Sequence, residues 1–173
     1  ALLKQCTLDD SLLQFLRDYA VRTARQQFGL GIYIRGLIEL SSYCRNDCLY
    51  CGLRRSNRSA ERYRLTADEV LECCREGYKL GFRTFVMQGG EDGTHSDAWL
   101  EELICRIRSL YPDVAITLSL GERSEESYRR LKRAGANRYL LRHEAADEEL
   151  YASLHPDSRG IKHRLSCIEA LQR

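Results

Sequence analysis

Short apolar segments alternate with helix-length amphipathic segments along most of this chain, and this alternation limits the fold more than any other feature. The segments predicted to be strands are 32–40, 83–88, 114–120 and 137–142. Helices are predicted at 66–80, 96–110 and 124–134, with further helix from about Asp147 and again from Ser158. Helices of ten or more residues that alternate with short strands indicate parallel βα units. Four such units make half of an eight-fold barrel or part of an open doubly wound sheet.

Polar side chains recur on one face of the predicted strands. Because side chains alternate between the two faces of a strand, residues two or four apart share a side. The polar residues are Arg35 and Glu39 in the first strand, Thr117 and Ser119 in the third, and Arg138 and Arg142 in the fourth. Buried parallel strands are usually apolar on both faces. A lumen that holds a ligand explains the pattern, and so does an edge or solvent-facing sheet.

The chain is predicted to have two parts. Apolar residues at a helical spacing over 8–28, followed by the sequence GLG, predict an N-terminal helical segment at 1–31. The βα repeats then occupy 32–173. The last residues follow a helical pattern without a stop signal, so we expect the repeats to be truncated at the C-terminus.

Composition narrows the functional classes. Charged residues make up 30% of the sequence, but the net charge is only +2, which gives no field that would draw the protein onto nucleic acid or an acidic membrane. The sequence has no apolar run of about 18 residues and no secretory-signal layout at its start. We therefore expect a cytoplasmic protein, in which clustered cysteines are metal ligands or catalytic thiols more often than disulfides.

Three of the eight cysteines stand close together directly after the first predicted strand. Cys44, Cys48 and Cys51 form the pattern CxxxCxxC, with Tyr50 just before the last. Thiolates are the usual ligands of iron–sulfur clusters, and three of them leave one iron of a 4Fe-4S cluster open. A structural zinc site would need a fourth protein ligand, and the nearest histidine in the sequence is the remote His95. A zinc site or incidental thiols remain alternatives on spacing alone.

This cysteine pattern after the first strand of a βα repeat resembles the signature of the radical S-adenosylmethionine (radical SAM) superfamily. Further motifs agree in order: QGGED at 88–92, SLGE at 119–122 and RYLLRHE at 138–144. Together they resemble one branch, the HydE family of FeFe-hydrogenase maturases, whose near relatives are methylornithine synthase and biotin synthase. The resemblance runs from about residue 32 to the end of the chain, and it implies the N-terminal half of a radical-SAM barrel of the TIM type.

The resemblance also implies cofactors and their ligands. The three cysteines would hold a 4Fe-4S cluster, and its open iron would be chelated by S-adenosylmethionine. The residues expected to contact S-adenosylmethionine are Tyr50, Gly89, Gly90, Glu91, Glu122 and Arg142. Of these, Glu122 would accept hydrogen bonds from the ribose, and Arg142 would pair with the methionine carboxylate.

For function, the resemblance implies radical SAM chemistry in the maturation of FeFe-hydrogenase. The expected substrate is a small molecule or iron complex, and the expected partners are a reductant such as ferredoxin or flavodoxin and other maturation proteins. Another small-molecule radical enzyme, such as methylornithine synthase, is an alternative. A metal-binding module without catalysis, or an inactive fragment, is another.

The remaining cysteines and the basic run after the cluster are interpreted as structural. Cys74 shares a helical face with Val70 and Leu71, so we expect it in the core, and Cys167 is also interpreted as a small structural residue. The arginines at 54, 55, 58, 62 and 64 are expected to form a solvated rim, with an anionic ligand as the alternative.

Overall fold

The computed structural model describes residues 9–156 and 159–173 and forms two compact units that divide between Ile34 and Arg35. The helices are α1 (Asp10–Phe28), α2 (Ala67–Lys79), α3 (Asp97–Leu110), α4 (Glu125–Ala134), α5 (Glu148–Leu154) and α6 (Ile161–Gln172). The strands are β1 (Gly36–Ser41), β2 (Thr84–Gly89), β3 (Ala115–Ser119) and β4 (Arg138–Tyr139). Ser158, where a last helix was expected to begin, lies outside the described residues.

The first unit contains α1. Asp9 caps this helix, because its carboxylate accepts hydrogen bonds from the backbone N–H groups of Ser11 (2.9 Å) and Leu12 (3.2 Å). Gly29 ends the helix at φ +67°, a backbone conformation that suits glycine. Along α1, which lies wholly within the described residues, no side chain is buried.

The second unit is a parallel four-stranded sheet in the order β1-β2-β3-β4. One face of the sheet is apolar and supports α2, α3 and α4. The fully buried side chains of this layer include Leu40, Phe85, Met87, Ile116 and Leu118 from the strands, and Ile104 and Leu131 from the helices. The predicted alternation of strands and helices is therefore confirmed, and every connection between neighbouring strands passes through a helix.

The other face of the sheet is partly polar. The register places Glu39, Gln88 and Ser119 in one row across β1, β2 and β3. The neighbouring row contains Thr117 and Arg138. The predicted polar face is thus confirmed for Glu39, Thr117, Ser119 and Arg138. Thr117 Oγ1 is buried without a hydrogen-bond partner among the described residues. A buried polar atom usually has a partner, so this face is suited to contact with a further polar group.

Two predicted strands are shorter than expected. The first begins at Gly36 and not at residue 32, since its pairing with β2 starts with Gly36 opposite Phe85. Arg35 therefore lies outside the strand, and its predicted place on the polar face is wrong. The fourth strand has only two residues, since β3 pairs with it only at Arg138 and Tyr139, so Arg142 also lies beyond the strand.

Candidate functional site

The three clustered cysteines open into one cleft at the carboxyl ends of the strands. Each thiol is free and partly exposed. The cleft holds about 390 Å³ and is lined by the three cysteines together with Glu39, Tyr50, Gln88, Gly89, Gly90, Glu91, Ser119, Arg142, Glu144 and Arg164, among others. Five of the six residues expected to contact S-adenosylmethionine therefore line the same cleft as the cysteines, and Glu122 does not.

The spacing of the three thiols separates two kinds of metal centre. Among the described residues, the three cysteine sulfurs are not all within 4.8 Å of one another. A single zinc ion with Zn–S bonds of about 2.3 Å would hold its sulfurs about 3.8 Å apart. A cluster spreads its thiolates, because each one binds a different iron. At least one pair of these sulfurs is therefore farther apart than a single zinc ion would hold them, and the thiolates of a cluster can lie that far apart.

Electrostatics around Cys48 favour the neutral thiol when no metal is bound. Burial raises the pKa of Cys48, and the neighbouring Cys44 and Cys51 raise it further. Three thiolates placed together without a counter-charge repel one another. Metal cations supply that counter-charge, so this donor set is suited to binding a metal centre.

Arg62 braces the loop that carries the cysteines. Its guanidinium donates hydrogen bonds to the carbonyl oxygens of Leu53 (3.0 Å), Arg54 (2.8 Å) and Asn57 (3.1 Å), and also to that of Ser42. Its five N–H donors in a fixed fork explain how one side chain can hold several carbonyl groups. The expected solvated rim is therefore wrong for Arg62, which is an internal support of the loop.

Arg64 ties the far end of the loop to the segment after β2. Its Nε lies 2.6 Å from Oδ2 of Asp92, and Ser41 Oγ donates to the same oxygen at 2.7 Å. Burial alone would raise the pKa of Asp92, but the hydrogen bonds from Arg64, Ser41 and Thr94 outweigh it and hold the pKa well below its ordinary value. Arg64 also stacks on the ring of Tyr43, 3.6 Å from its centroid. Arg64 is exposed, as the rim interpretation expected, but it is paired with the buried Asp92.

Gly90 allows the cysteine loop to approach β2 closely. A Cβ at this position would lie 2.3 Å from the Tyr43 carbonyl oxygen and 2.6 Å from Cys44 Cβ. Such contacts are too short for any side chain. Gly89 pairs with Ser41 in the sheet, and a Cβ there would be 3.4 Å from the Ser41 carbonyl oxygen. The glycine pair therefore sets the distance between the cysteines and the sheet.

Glu91 joins three segments of the cleft. Its Oε2 accepts hydrogen bonds from Nε (3.0 Å) and Nη2 (2.8 Å) of Arg45, which lies between the first two cysteines. Its Oε1 accepts the backbone N–H of Glu122 at 3.0 Å. Gly121 makes room for this carboxylate, because a Cβ at Gly121 would lie 2.0 Å from Glu91 Cγ. Both carboxylate oxygens are thus engaged with the protein, which fixes the orientation of the side chain.

Glu122 lies beside the cysteine cleft, in an ion pair that the sequence did not predict. Its side chain is 9% exposed, and its Oε1 lies 2.9 Å from Nε of the buried Arg164. His163 Nε2 lies 3.4 Å from its Oε2. Glu122 lines a neighbouring polar cleft of about 320 Å³, whereas Arg164 lines the cysteine cleft. Arg164 therefore connects Glu122 to the cysteine cleft.

Tyr50 and Arg142 stand at the edge of the cysteine cleft. The Tyr50 hydroxyl is hydrogen-bonded to His155, and burial together with the nearby Glu144 raises the pKa of Tyr50. Arg142 is mostly exposed, and its Nε lies 3.8 Å from Glu144, which leaves the guanidinium available to an anionic ligand. Glu144 adopts a positive φ of 69°, which is rare for a residue with a side chain.

Sequence reasoning missed Arg45, Arg62, His155 and Arg164. For Arg164 a signal existed. It falls three residues after Ile161 and three before Cys167, on the buried face of α6, where a charged residue needs a partner. Arg45 and His155 contact residues that are distant in sequence, and Arg62 contacts backbone carbonyl groups. Residue type alone does not reveal such contacts.

Residues 38–173 match the family model described as the Radical SAM superfamily. The chain belongs to the Radical SAM superfamily. Membership implies a 4Fe-4S cluster and S-adenosylmethionine. The three free thiols, which line one cleft together with Gly89 and Gly90, fit such a cluster. In the described part of the chain, none of the helices is long and apolar enough to cross a bilayer.

Individual relatives place the chain more finely. It is 43% identical over 148 residues to the "[FeFe] hydrogenase maturase subunit HydE" of Thermotoga maritima, a match that covers 86% of this chain and 42% of the relative. It is 29% identical to a 3-methylornithine synthase of Methanosarcina acetivorans, over 79% of this chain and 39% of the relative. The chain thus spans about two fifths of the length of these relatives.

A solved structure matches the fold closely. The FeFe-hydrogenase maturase HydG from Carboxydothermus hydrogenoformans superposes with a TM-score of 0.86 at 27% identity, over 93% of this chain and 38% of that one. The predicted fold, a parallel half of a radical-SAM barrel, is confirmed by this match and by the sheet topology.

Proposed function

We propose that this chain is the cluster-binding half of a radical SAM enzyme that matures FeFe-hydrogenase, of the HydE type. Cys44, Cys48 and Cys51 would hold the 4Fe-4S cluster. The residues proposed to hold S-adenosylmethionine are Tyr50, Gly89, Gly90, Glu91, Glu122 and Arg142. The observation that carries the proposal is that three free thiols and five of these six residues line one cleft at the carboxyl ends of parallel strands.

A reduced 4Fe-4S cluster held by the three cysteines would supply one electron for the cleavage of S-adenosylmethionine to methionine and a 5′-deoxyadenosyl radical. The residues of this chain bind and orient. Arg142 supplies a guanidinium that suits the methionine carboxylate. The Glu91 carboxylate, which Arg45 and the Glu122 N–H hold in one orientation, would bind the amino group of S-adenosylmethionine. Arg62 and Gly90 hold the cysteines at a set distance from these groups.

The polar face of the sheet supports the proposed substrate class. Glu39, Gln88 and Ser119 form one row that reaches the cysteine cleft. Such a row can hydrogen-bond a small molecule or an iron complex with polar ligands. A reductant such as ferredoxin or flavodoxin would deliver the electron, other maturation proteins would receive the product, and the cytoplasm would keep the thiols reduced.

Genetic complementation tests the maturase function. A host that lacks its HydE gene should regain hydrogenase activity when it receives the gene that encodes this chain, and the same gene with Cys48→Ala should not restore it. Accumulation of methylornithine without hydrogenase activity would replace the proposal with the methylornithine synthase alternative, which the 29% identical relative supports.

A direct assay tests the chemistry apart from the pathway. The reconstituted protein should release 5′-deoxyadenosine when it is reduced in the presence of S-adenosylmethionine. The alternative of a metal-binding module without catalysis predicts tightly bound zinc and no 5′-deoxyadenosine. Because the matched relatives are more than twice as long, the assay is made on the 173-residue chain and on any longer product of its gene.

A further inference from the structure

Glu122, His163 and Cys167 bring three different metal-ligand atoms together beside the cysteine cleft. A carboxylate oxygen, an imidazole nitrogen and a thiol sulfur all lie within 4.8 Å of one another, and this is the only such group found in the described part of the chain. We propose that these residues form a second metal site, which takes a thiophilic divalent cation of the zinc type and is separate from the cluster site.

The distances fit a tetrahedral ion. His163 Nε2 lies 3.4 Å from Glu122 Oε2 and 3.7 Å from Cys167 Sγ. Typical zinc bond lengths of about 2.0–2.3 Å and a tetrahedral angle place a nitrogen and an oxygen ~3.3 Å apart and a nitrogen and a sulfur ~3.5 Å apart. The observed separations differ from these by a few tenths of an ångström. A zinc ion would therefore need little movement of His163 relative to its two partners, and the oxygen of Glu122 and the sulfur of Cys167 lie within 4.8 Å of each other.

The fold holds the ligands from two elements. His163 and Cys167 stand four residues apart on α6, so they project from the same side of the helix. Glu122 lies in the segment after β3, next to Gly121, where the chain turns at a φ of +77°. Cys167 is buried and Glu122 nearly so, whereas His163 is partly exposed and gives the site an opening to solvent.

The surroundings of the three ligands are compatible with a bound cation. Arg164 contacts the other oxygen of Glu122, Oε1, at 2.9 Å, and this contact orients the carboxylate while Oε2 stays directed at His163. Cys167 Sγ lies 3.8 Å from the Arg123 carbonyl oxygen, and its thiol proton would be lost on metal binding. Arg159 Nη1 lies 3.3 Å from His163 Nε2, and this exposed side chain would have to move away.

The site has a consequence for the cofactor. Three protein ligands leave one position for water or an external ligand, which is typical of zinc sites that are not purely structural. Glu122 is also one of the residues proposed to hold S-adenosylmethionine, so zinc and the cofactor should compete for it. The competition rests on the proposed function, but the metal site itself does not.

Metal titration tests the site in a variant whose cluster cysteines are replaced, so that they do not bind the added metal. In the background Cys44→Ser/Cys48→Ser/Cys51→Ser, cobalt(II) should bind with a thiolate-to-metal charge-transfer absorption, and zinc should displace it. Cys167→Ser should abolish this absorption, and His163→Gln should weaken binding by at least about 100-fold, since even outer-shell partners of a metal are worth about 10- to 100-fold. Cys73→Ser removes an exposed thiol on α2 and should change neither result.

Two results would overturn the site. One is a charge-transfer absorption that survives in Cys167→Ser, and the other is a zinc affinity that is equal in His163→Gln and its parent. His163 is partly exposed, so its variant should stay folded, and circular dichroism checks this. In the cluster-loaded wild-type chain, zinc should weaken S-adenosylmethionine binding. Zinc binding without that effect would overturn the competition while the metal site stands.

Discussion

The Tyr50 hydroxyl lies 2.8 Å from Nε2 of His155, a hydrogen bond between residues 105 positions apart. Nδ1 of His155 lies 2.7 Å from the Tyr151 carbonyl oxygen, so Nδ1 carries the proton and Nε2 accepts the tyrosine proton. The Leu49 N–H also donates to the Leu154 carbonyl oxygen at 3.0 Å. The cysteine loop is therefore held at its outer edge by the end of α5.

Removal of this hydrogen bond should loosen the cysteine loop. Tyr50→Phe keeps the ring against His155 but leaves the buried Nε2 without its donor, so we expect a loss of about 1–2 kcal/mol in the free energy of unfolding. Urea denaturation measures it. Tyr19→Phe, which removes an exposed hydroxyl on α1, is the control and should change stability by less than about 0.5 kcal/mol. Equal stability of the two variants would show that the hydrogen bond contributes nothing.

Gly121 should tolerate no side chain. Gly121→Ala places a Cβ 2.0 Å from Glu91 Cγ at a φ of +77°, so overpacking and backbone strain should together cost about 2–4 kcal/mol. Gly93→Ala is the matched control, because a Cβ at Gly93 meets no atom within 4 Å. Thermal or urea unfolding of the two variants should differ by that amount. A Gly121→Ala protein as stable as Gly93→Ala would contradict the close packing of Glu91.

Gly90 should control cluster retention more than stability of the sheet. Gly90→Ala pushes on the Tyr43 carbonyl and on Cys44, so after reconstitution we expect well under half of the iron content of the wild-type chain. Gly52→Ala lies in the same loop, where a Cβ meets open space, and should retain the wild-type iron content. Iron and sulfide analysis after anaerobic reconstitution gives the comparison. A full cluster in Gly90→Ala would mean that the loop can move away from β2 without harm.

The Asp92 ion pair should make the free energy of unfolding depend on pH in the acidic range. Asp92 has a lowered pKa in the folded state, so its contribution is present above the unfolded value of about 3.9 and declines as the pH falls below it. At pH 7, Asp92→Asn should cost about 2 kcal/mol, because Arg64 and Ser41 lose a charged acceptor. Below about pH 3.9 the gap between wild type and variant should narrow by up to roughly 1.4 kcal/mol per pH unit. Urea denaturation from pH 7 to pH 3 measures the gap, and a constant gap would contradict the lowered pKa.

Local signals predicted the helices of the repeat well. Thr66 and Glu69 form a capping box at the predicted start of α2. Ser96 and Ser124 cap α3 and α4, and each accepts the backbone N–H of the residue three positions later. Cys74 is fully buried, as its position on the apolar face of α2 predicted. These features depend on neighbours within a few residues, which a sequence displays directly.

Features that depend on distant partners were missed or misplaced. The ends of β1 and β4 are set by the strands that pair with them, and an apolar run does not show where its partner begins. Arg62 was expected at the surface because nothing near it in sequence indicates the four carbonyl groups that it contacts. The pairing of the exposed Arg64 with Asp92 was not predicted either. Cys167 is buried, as its interpretation as a small structural residue expected, but its place beside His163 and Glu122 becomes visible only when α6 packs near the segment after β3.

Electron paramagnetic resonance of the reduced, reconstituted protein tests whether the three cysteines hold a cluster that binds S-adenosylmethionine. We predict about four irons per chain and a 4Fe-4S signal that changes when S-adenosylmethionine is added, since the cofactor would bind the iron that has no cysteine ligand. In Cys48→Ala, both the signal and its response should be lost. A Cys48→Ala protein that keeps the cluster and its response to S-adenosylmethionine, or a wild-type chain that binds only zinc at these cysteines, would contradict the account.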